Sequence, residues 1–259
     1  MPRFAANLTM LFNEVAFLDR FAAAAQAGFA AVEYLFPYDW EAEALAERLA
    51  AHGLEQVLFN LPAGDWAAGD RGIACDPARK GEFEEGVGRA IAYAKALGCP
   101  RLNCLAGIPP GNVSAERARE TLVANLGFAA KALAAEGLTL VTEPINTRDV
   151  PGFFLCHTAQ AVAIISDVGA ANLRLQHDVY HMQRMEGDLA NTIERHLGLI
   201  EHMQIADNPG RHEPGTGEIA YDFLFAHLDR IGYQGWVGCE YKPAGGTVEG
   251  LGWFARWRR

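Results

Sequence analysis

Eight short runs rich in Val, Ile, Leu and Phe alternate along this chain with longer segments in which apolar residues recur every three or four positions. The short runs are typical of buried strands and the longer segments of amphipathic helices. Several helical segments end at a glycine, which suits the left-handed position after a helix C-terminus. The predicted strands cover residues 3–7, 31–36, 56–60, 101–107, 138–146, 173–180, 202–207 and 236–241.

This alternation predicts an α/β protein with a parallel sheet. Eight strand–helix units in 259 residues predict one domain, a (β/α)8 TIM barrel over residues 1–259. The alternative is an open, doubly wound sheet, which would carry a glycine-rich turn after its first strand. Here that position reads NLTMLFNE, and a GxGxxA match occurs late in the chain, at 215–220. The pattern therefore favours the closed barrel.

Composition mainly excludes other classes of protein. The net charge of −10 argues against nucleic acid or an anionic membrane as a partner. The five cysteines are widely spaced without a CxxC pair, which favours a reducing compartment over a disulfide framework. No apolar run has the length of a signal peptide or a spanning helix. We therefore expect a cytoplasmic protein without a membrane partner, and the sequence leaves homo-oligomer formation open.

Oxygen-bearing side chains stand at the ends of four successive predicted strands, and barrel closure would bring them to one rim. They are Glu143 in LTLVTEPIN, Asp178 in LRLQHDVYH, Gln204 in HMQIADN and Glu240 in WVGCEYKP. Any one of them alone is more often a helix cap or half of an ion pair. Three carboxylates in one small site, however, cannot all be ionised without a cation. Oxygen donors favour Mg²⁺ or Mn²⁺ over zinc, so the set predicts a divalent metal site.

Further histidines and acids lie near the same rim. His181 follows the predicted metal aspartate by three residues and is expected to contact substrate or support the site. His177 is predicted to face the other way, and His202 to lie deeper toward the barrel base. Glu33 and Asp207 stand outside the four-donor set and are expected to have a supporting or structural role.

The loop at 60–82, NLPAGDWAAGDRGIACDPARKGE, is unusually long and carries a large aromatic residue, Trp66. Long ordered loops in compact domains are often active-site lids, so we predict a lid; the alternative is a surface excursion. An anionic substrate would need cations at the rim. The substrate-binding candidates, besides His181, are Asn60, Arg71, Arg211 and Lys242, and Arg184 is a further cation expected at the same rim.

Long motifs resemble the hydroxypyruvate isomerase family, in the xylose isomerase-like barrel superfamily: NLPAGDWAAGDRGIAC, HDVYHMQRMEGDL, QIADNPGRHEPGTGEI and GCEYKP. The resemblance covers essentially the whole chain. The related 2-oxo-tetronate isomerases share two of the motifs of this chain, MPRFAANL and GCEYKP. Two other motifs are more similar to the hydroxypyruvate isomerase branch, namely EPINTRDVPGFF and DVYHMQRMEG. The resemblance implies a TIM barrel, a divalent metal and a small hydroxy-keto acid substrate.

The same resemblance implies residue roles. It makes Glu143 and Glu240 the acid/base pair, with Asp178 and Gln204 completing the metal site and His181 binding substrate. The chemistry suits these side chains. Hydroxypyruvate and tartronate semialdehyde interconvert through an enediolate, which requires a base, an acid and stabilisation of the oxyanion by a metal.

Four other functions are alternatives for a barrel of this kind. A 2-oxo-tetronate isomerase or a ketose 3-epimerase would use nearly the same four donors. A metal-dependent apurinic DNA endonuclease would need more, histidine-rich ligands and a basic groove, and the acidic charge of this chain disfavours it. A non-catalytic binding barrel would not need an intact set of four donors.

Overall fold

The computed structural model, which describes residues 1–257, is a closed barrel of eight parallel strands in sequential order. The first strand pairs with the second and with the last, which closes the barrel. The fold predicted from the sequence is therefore confirmed. The strands are β1 (Arg3–Asn7), β2 (Ala31–Glu33), β3 (Glu55–Asn60), β4 (Arg101–Cys104), β5 (Thr139–Thr142), β6 (Leu173–Asp178), β7 (Ile200–Gln204) and β8 (Trp236–Cys239).

Helices surround the barrel and bury one face against it. The helix α4 begins after Ser114, whose Oγ accepts a hydrogen bond from the Arg117 N–H at 3.2 Å. Two residues past its end, Gly137 adopts a φ of +71°, a conformation that favours glycine. The α-helices are α1 (Arg20–Gln26), α2 (Ala42–His52), α3 (Lys80–Leu97), α4 (Ala115–Ala135), α5 (Thr158–Val168), α6 (Val179–Met185), α7 (Leu189–His196), α8 (Tyr221–Ile231) and α9 (Gly252–Trp257).

Most strands end earlier than the hydrophobic pattern predicts. The strand β5 ends at Thr142 and β8 at Cys239, so Glu143 and Glu240 lie one residue beyond their strands. The apolar pattern continues past these ends because the first residues of the loops turn inward; Tyr241, for example, is fully buried. A hydrophobic pattern indicates which residues are buried, but it does not indicate which residues pair with a neighbouring strand. The predicted strand ends were therefore too late.

The barrel interior changes character along its axis. At the N-terminal end, Ala5, Ala31, Val57 and Trp236 form a small apolar cluster separate from the main core between barrel and helices. Toward the C-terminal end, the interior carries buried polar side chains such as Glu33. No helix within residues 1–257 is long and apolar enough to cross a membrane.

Candidate active site and metal centre

A cavity of about 550 Å³ opens at the C-terminal ends of the strands. Among its lining residues are eight of the nine site residues predicted from the sequence: Asn60, Arg71, Glu143, His181, Gln204, Arg211, Glu240 and Lys242. The ninth, Asp178, is fully buried among them. Barrel closure therefore brings the residues predicted from separate strands into one cavity, as the rim of a TIM barrel requires.

The acidic residues of this cavity form a tight cluster with one histidine. Single ligand atoms of Glu143, Asp178, His181 and Glu240 all lie within 4.8 Å of one another. All four residues are buried. Acids at this spacing and burial repel one another unless protons or a cation neutralise them.

Two of these carboxylates each have one oxygen bound and the other without a partner. Glu143 Oε2 accepts hydrogen bonds from Asn103 Nδ2 at 3.2 Å and Gln176 Nε2 at 2.9 Å, while Oε1 is buried and unpartnered. Asp178 Oδ1 accepts from the N–H groups of Tyr180 and His181, at the start of α6, and Oδ2 is likewise unpartnered. Buried oxygens without partners are costly, so their convergence fits a bound divalent cation.

The electrostatics of the cluster support the same interpretation. Burial, reinforced by the nearby Glu240 and Asp178 carboxyl groups, raises the pKa of Glu143 well above its ordinary value. Burial also raises the pKa of Glu240, although Arg211, which donates from Nη2 to Glu240 Oε2 at 2.7 Å, acts in the opposite direction. The two glutamates therefore favour the protonated form unless a cation replaces the protons.

Gln204 presents its amide oxygen on the side of the acids. Its Nε2 donates to Glu33 Oε1 at 2.8 Å, and its Oε1 accepts from Gln176 Nε2 at 2.7 Å. The same Gln176 nitrogen donates to Glu143, so the two oxygens share one donor. Gln204 fits the donor set with a neutral oxygen, beside the three acids.

His181 is oriented by Asn146. The Asn146 Oδ1 accepts from the N–H groups of Arg148 and Asp149, so its Nδ2 faces His181 Nδ1, 2.6 Å away. Nδ1 must then be the acceptor, and the proton of the neutral ring is on Nε2. Nε2 lies 3.9 Å from Glu143 Oε1 and 3.7 Å from Asp178 Oδ2. Burial lowers the pKa of His181 to about 4. The ring therefore offers an N–H donor to the cavity, which suits a substrate oxygen better than a metal ion.

The cations at the rim differ in how they are paired. Arg211 is bound to Glu240, and Arg184 donates to Asp149 Oδ1 at 2.9 Å. By contrast, neither Arg71 nor Lys242 forms an ion pair with a carboxylate of the described residues. Arg71 donates to two loop carbonyls and stacks on Trp66, with its guanidinium carbon 4.3 Å from the ring centroid.

Asp207 organises the loop that carries Arg211. Its carboxylate accepts hydrogen bonds at 2.9 to 3.0 Å from four backbone N–H groups of the loop, those of Asn208, Gly215, Gly217 and Ile219. Arg211 itself has a φ of +56°, which is unfavourable for a residue with a side chain. The structural role expected for Asp207 is confirmed, and its consequence is the position of Arg211.

The predicted lid segment contributes Asn60, Trp66 and Arg71 to the lining of the cavity. Trp66 is 39% exposed and packs edge-on against Phe36, with ring centroids 5.1 Å apart. Asp70 accepts from the Asp65 N–H and pairs with Arg79, both at 2.7 Å, which ties the two ends of the segment together. A 3₁₀ helix at Pro77–Arg79 leads into α3 at Lys80, so the last six residues of the predicted 60–82 loop are helical. Closure over a substrate stays a prediction.

The sequence did not predict the two amide side chains that donate hydrogen bonds to Glu143, those of Asn103 and Gln176. Asn103, at the end of β4, links Glu143 to Asn60 Oδ1, from which it is 3.1 Å distant. Gln176 was detectable, because it precedes Asp178 by two residues in a strand and so shares its face. As predicted, His177 does not line the cavity; His202 is fully buried and contacts Glu33.

Comparison with known proteins places the chain in a family. A family model described as xylose isomerase-like TIM barrel matches residues 21–257. The hydroxypyruvate isomerase of Escherichia coli K12 is 55% identical, and the match covers all of both chains. A 2-oxo-tetronate isomerase of Cupriavidus necator is 54% identical over 98% of this chain and 97% of its own.

Solved structures share the fold. The crystal structure of a family 2 AP endonuclease from Brucella melitensis is 49% identical with a TM-score of 0.97 and full coverage of both chains. An L-ribulose 3-epimerase is 27% identical, with a TM-score of 0.75 over all of this chain and 88% of its own. The barrel and its acidic rim thus define a class, the xylose isomerase-like TIM barrels. Within that class the chain belongs to the hydroxypyruvate isomerase family, and it is an isomerase.

Proposed function

We propose that this isomerase interconverts hydroxypyruvate and tartronate semialdehyde at the acidic cluster, with Mg²⁺ or Mn²⁺ bound. The observation that carries the proposal is that ligand atoms of Glu143, Asp178, His181 and Glu240 lie within 4.8 Å of one another, while Glu143 and Asp178 each have a buried oxygen without a hydrogen-bond partner. The 55% identity to the Escherichia coli hydroxypyruvate isomerase supports the choice of substrate.

Four residues would hold the metal: Glu143, Asp178, Gln204 and Glu240. All four offer oxygen, the donor that Mg²⁺ and Mn²⁺ prefer. When bound, the ion acts as a Lewis acid that stabilises negative charge on substrate oxygens. Because burial raises the pKa of Glu143 and of Glu240, both carboxyls would release their protons when they bind the ion.

Glu143 and Glu240 are the proposed proton-transfer pair. From hydroxypyruvate, a base removes a proton from the hydroxymethyl carbon, and the resulting enediolate accepts a proton at the adjacent carbon. The two glutamates follow β5 and β8, three strands apart around the barrel, and both side chains reach the same cluster. Burial raises the pKa of Glu240 to about 8 and raises that of Glu143 well above its ordinary value, so both carboxyls can hold a proton that they return to the substrate.

His181 would donate a hydrogen bond to a substrate oxygen. Its Nε2–H points into the cluster because Asn146 occupies Nδ1. The low pKa of the ring keeps it neutral at physiological pH. A neutral donor stabilises a developing oxyanion without adding a further charge to the metal site.

The substrate carboxylate would bind at the cations that are not already paired. Arg71 and Lys242 both line the cavity. Arg211 also lines it, but its pairing with Glu240 assigns it to positioning that acid. Since Arg71 belongs to the predicted lid, carboxylate binding would draw this loop toward the cavity.

A second candidate is 2-oxo-tetronate isomerisation, favoured by the 54% identity to the Cupriavidus necator protein. It requires the same proton transfer on a substrate one carbon longer. The cavity of about 550 Å³ accommodates either acid. The site chemistry is thus common to both candidates, and the substrate must be chosen by assay.

Proton NMR in D₂O tests the proposal. Metal-loaded protein is incubated with hydroxypyruvate, in parallel with 2-oxo-tetronate and a ketose, and each reaction has a chelator control. We expect deuterium incorporation and tartronate semialdehyde from hydroxypyruvate, both lost on chelation. Exchange with 2-oxo-tetronate alone would move the assignment to that substrate, and exchange with neither acid would refute both.

Abasic duplex DNA serves as a further substrate in this series, because the similar Brucella melitensis protein is named an AP endonuclease. We expect no strand cleavage, since the net charge of −10 opposes DNA binding. We also propose the cytoplasm as the location, consistent with five free thiols. The proposed site is complete within one chain, so homo-oligomer formation is not needed for it.

A further inference from the structure

A second buried polar cluster lies beside the acids and involves Glu33, at the end of β2. Its Oε1 accepts from Asn7 Nδ2 at 2.9 Å and Gln204 Nε2 at 2.8 Å, and its Oε2 accepts from His202 Nε2 at 2.6 Å. Glu33 and His202 are fully buried, and Asn7 and Gln204 nearly so. We propose that Glu33 is a positioning residue, which fixes the Gln204 amide so that its oxygen, and not its nitrogen, faces the metal centre. This inference rests on the metal site of the proposed function.

A glutamine amide can bind in two orientations of similar shape, and only one offers a metal ligand. A carboxylate oxygen accepts hydrogen bonds, and Glu33 Oε1 already accepts one from Asn7 Nδ2. Next to Glu33 Oε1, therefore, Gln204 must place its NH₂ group, which turns its carbonyl oxygen to the other side. There Gln176 Nε2 donates to the oxygen at 2.7 Å and to Glu143 Oε2 at 2.9 Å. In the reverse orientation, Gln204 Oε1 would face Glu33 Oε1 and Gln204 Nε2 would face Gln176 Nε2. Neither end of the amide could then form its hydrogen bond.

Glu33 is itself held in place from several directions. Asn7 cannot reverse its own amide, because its Oδ1 accepts from the Thr9 N–H at 3.1 Å. Gly238 of β8 leaves the space that the carboxylate occupies, since a Cβ at this position would overlap both oxygens of Glu33. The strands β1, β2, β7 and β8 thus cooperate in fixing one amide. Hydrogen-bond partners behind a ligand commonly set its orientation and its affinity for metal.

The test is Mn²⁺ affinity, measured by calorimetry on metal-stripped full-length protein. Glu33→Ala removes the acceptor, and we expect Mn²⁺ to bind about 10- to 100-fold more weakly. Glu33→Gln keeps an acceptor oxygen, because Asn7 holds that oxygen in place, and we expect affinity within about threefold of wild type. If Glu33→Gln weakens binding as much as Glu33→Ala, the charge and not the acceptor matters, and the proposal is wrong. Wild-type affinity in Glu33→Ala would refute it as well.

A steric variant tests the same point if Glu33→Ala does not fold. Gly238→Ala should displace the carboxylate without removing it, and we expect Mn²⁺ to bind at least about tenfold more weakly. Gly88→Ala in α3 is the matched control, because a Cβ there meets nothing within 4 Å. Wild-type Mn²⁺ affinity in Gly238→Ala, with the protein folded, would contradict the proposal.

Turnover separates positioning from direct catalysis. If Glu33 acts only through Gln204, saturating Mn²⁺ should restore kcat in Glu33→Ala; a kcat that stays low would assign Glu33 a direct part in the reaction and overturn the proposal. Wild type and Glu143→Gln, titrated in the same way, test the metal centre itself. Failure of wild type to bind Mn²⁺ would refute the metal site and this inference together, whereas loss confined to Glu143→Gln would leave the site standing.

Discussion

The two ends of the barrel interior differ in chemical character, since the N-terminal end is apolar and the C-terminal end is acidic. At the N-terminal end, Trp236 closes the interior in an apolar cluster with three small residues, and the Arg3 guanidinium lies 3.9 Å from its ring centroid. At the C-terminal end, three acids within a few ångströms leave buried oxygens of Glu143 and Asp178 without partners.

This difference shows that one end of the barrel stabilises the fold, whereas the other carries reactive groups that lower its stability. Apolar burial at the N-terminal end stabilises the fold directly. Glu143 and Glu240 at the other end destabilise the fold until a cation binds, because burial and nearby carboxyl groups both oppose their ionisation. Substitutions at the two ends should therefore affect different measured quantities.

The largest effect is expected at the acidic end. Glu240→Gln removes one of the proposed proton-transfer groups, and we expect kcat to fall by about 10²- to 10⁴-fold. The melting temperature should stay near that of wild type, because glutamine has the same shape and keeps an oxygen that can accept the hydrogen bond from Arg211. Steady-state kinetics and thermal unfolding measure the two quantities, and Glu249→Gln at an exposed position is the control. Wild-type turnover would remove Glu240 from the mechanism.

The reverse behaviour is expected at the apolar end. Trp236→Ala should lower the free energy of unfolding by about 3–5 kcal/mol through lost burial and the cavity that it leaves. Because the site is at the opposite end of the barrel, kcat of the folded protein should stay near wild type. Chemical denaturation and kinetics below the melting temperature provide the measurements. A large fall in kcat at full folding would show that the two ends are coupled.

The pH dependence of the stability of the metal-free protein tests the same contrast between the two ends. Glu143 and Glu240 have raised pKa values in the folded chain, so the stability associated with their protonation is present below the ordinary carboxyl pKa of 4.5 and is lost as pH rises toward the raised values. Mn²⁺ replaces these protons, so the increase in melting temperature that it causes should grow with pH.

Thermal unfolding with and without Mn²⁺, between about pH 5 and pH 8, measures this effect. Glu143→Gln should flatten the pH dependence, whereas Trp236→Ala should lower every melting temperature and preserve the difference made by Mn²⁺. A metal effect that does not vary with pH would mean that the acids are already ionised without a cation.

The smallest effect is expected at the predicted lid. Trp66→Ala removes the ring on which Arg71 stacks, an interaction that contributes about 0.5–1 kcal/mol at exposed sites. We expect KM to rise by about two- to fivefold with kcat nearly unchanged. Phe128→Ala is a matched control, because its ring is similarly exposed, at 41%, and does not line the cavity. If Trp66→Ala and Phe128→Ala have equal kinetics, the segment at 60–82 is a surface loop and not a lid.

Much of the fold and the composition of the site could be predicted from sequence because both depend on local patterns. Strand–helix alternation predicts the barrel, and the barrel brings strand ends to one rim, so Glu143, Asp178, Gln204 and Glu240 were predicted together. The strand ends were less predictable, since the burial of rim loops continues the hydrophobic pattern.

What only the tertiary structure decided is orientation. Which oxygen of Glu143 is unpartnered, which end of the Gln204 amide faces the acids and which nitrogen of His181 carries the proton all depend on donors from other strands. Glu33 contacts His202 across 169 positions of sequence, and Arg211 meets Glu240 through a loop held by Asp207. Sequence by itself determined which chemical groups reach the rim, since that follows from the periodicity of each strand. The direction in which each group points depends on the hydrogen-bond partners around it, and these exist only after the barrel has closed.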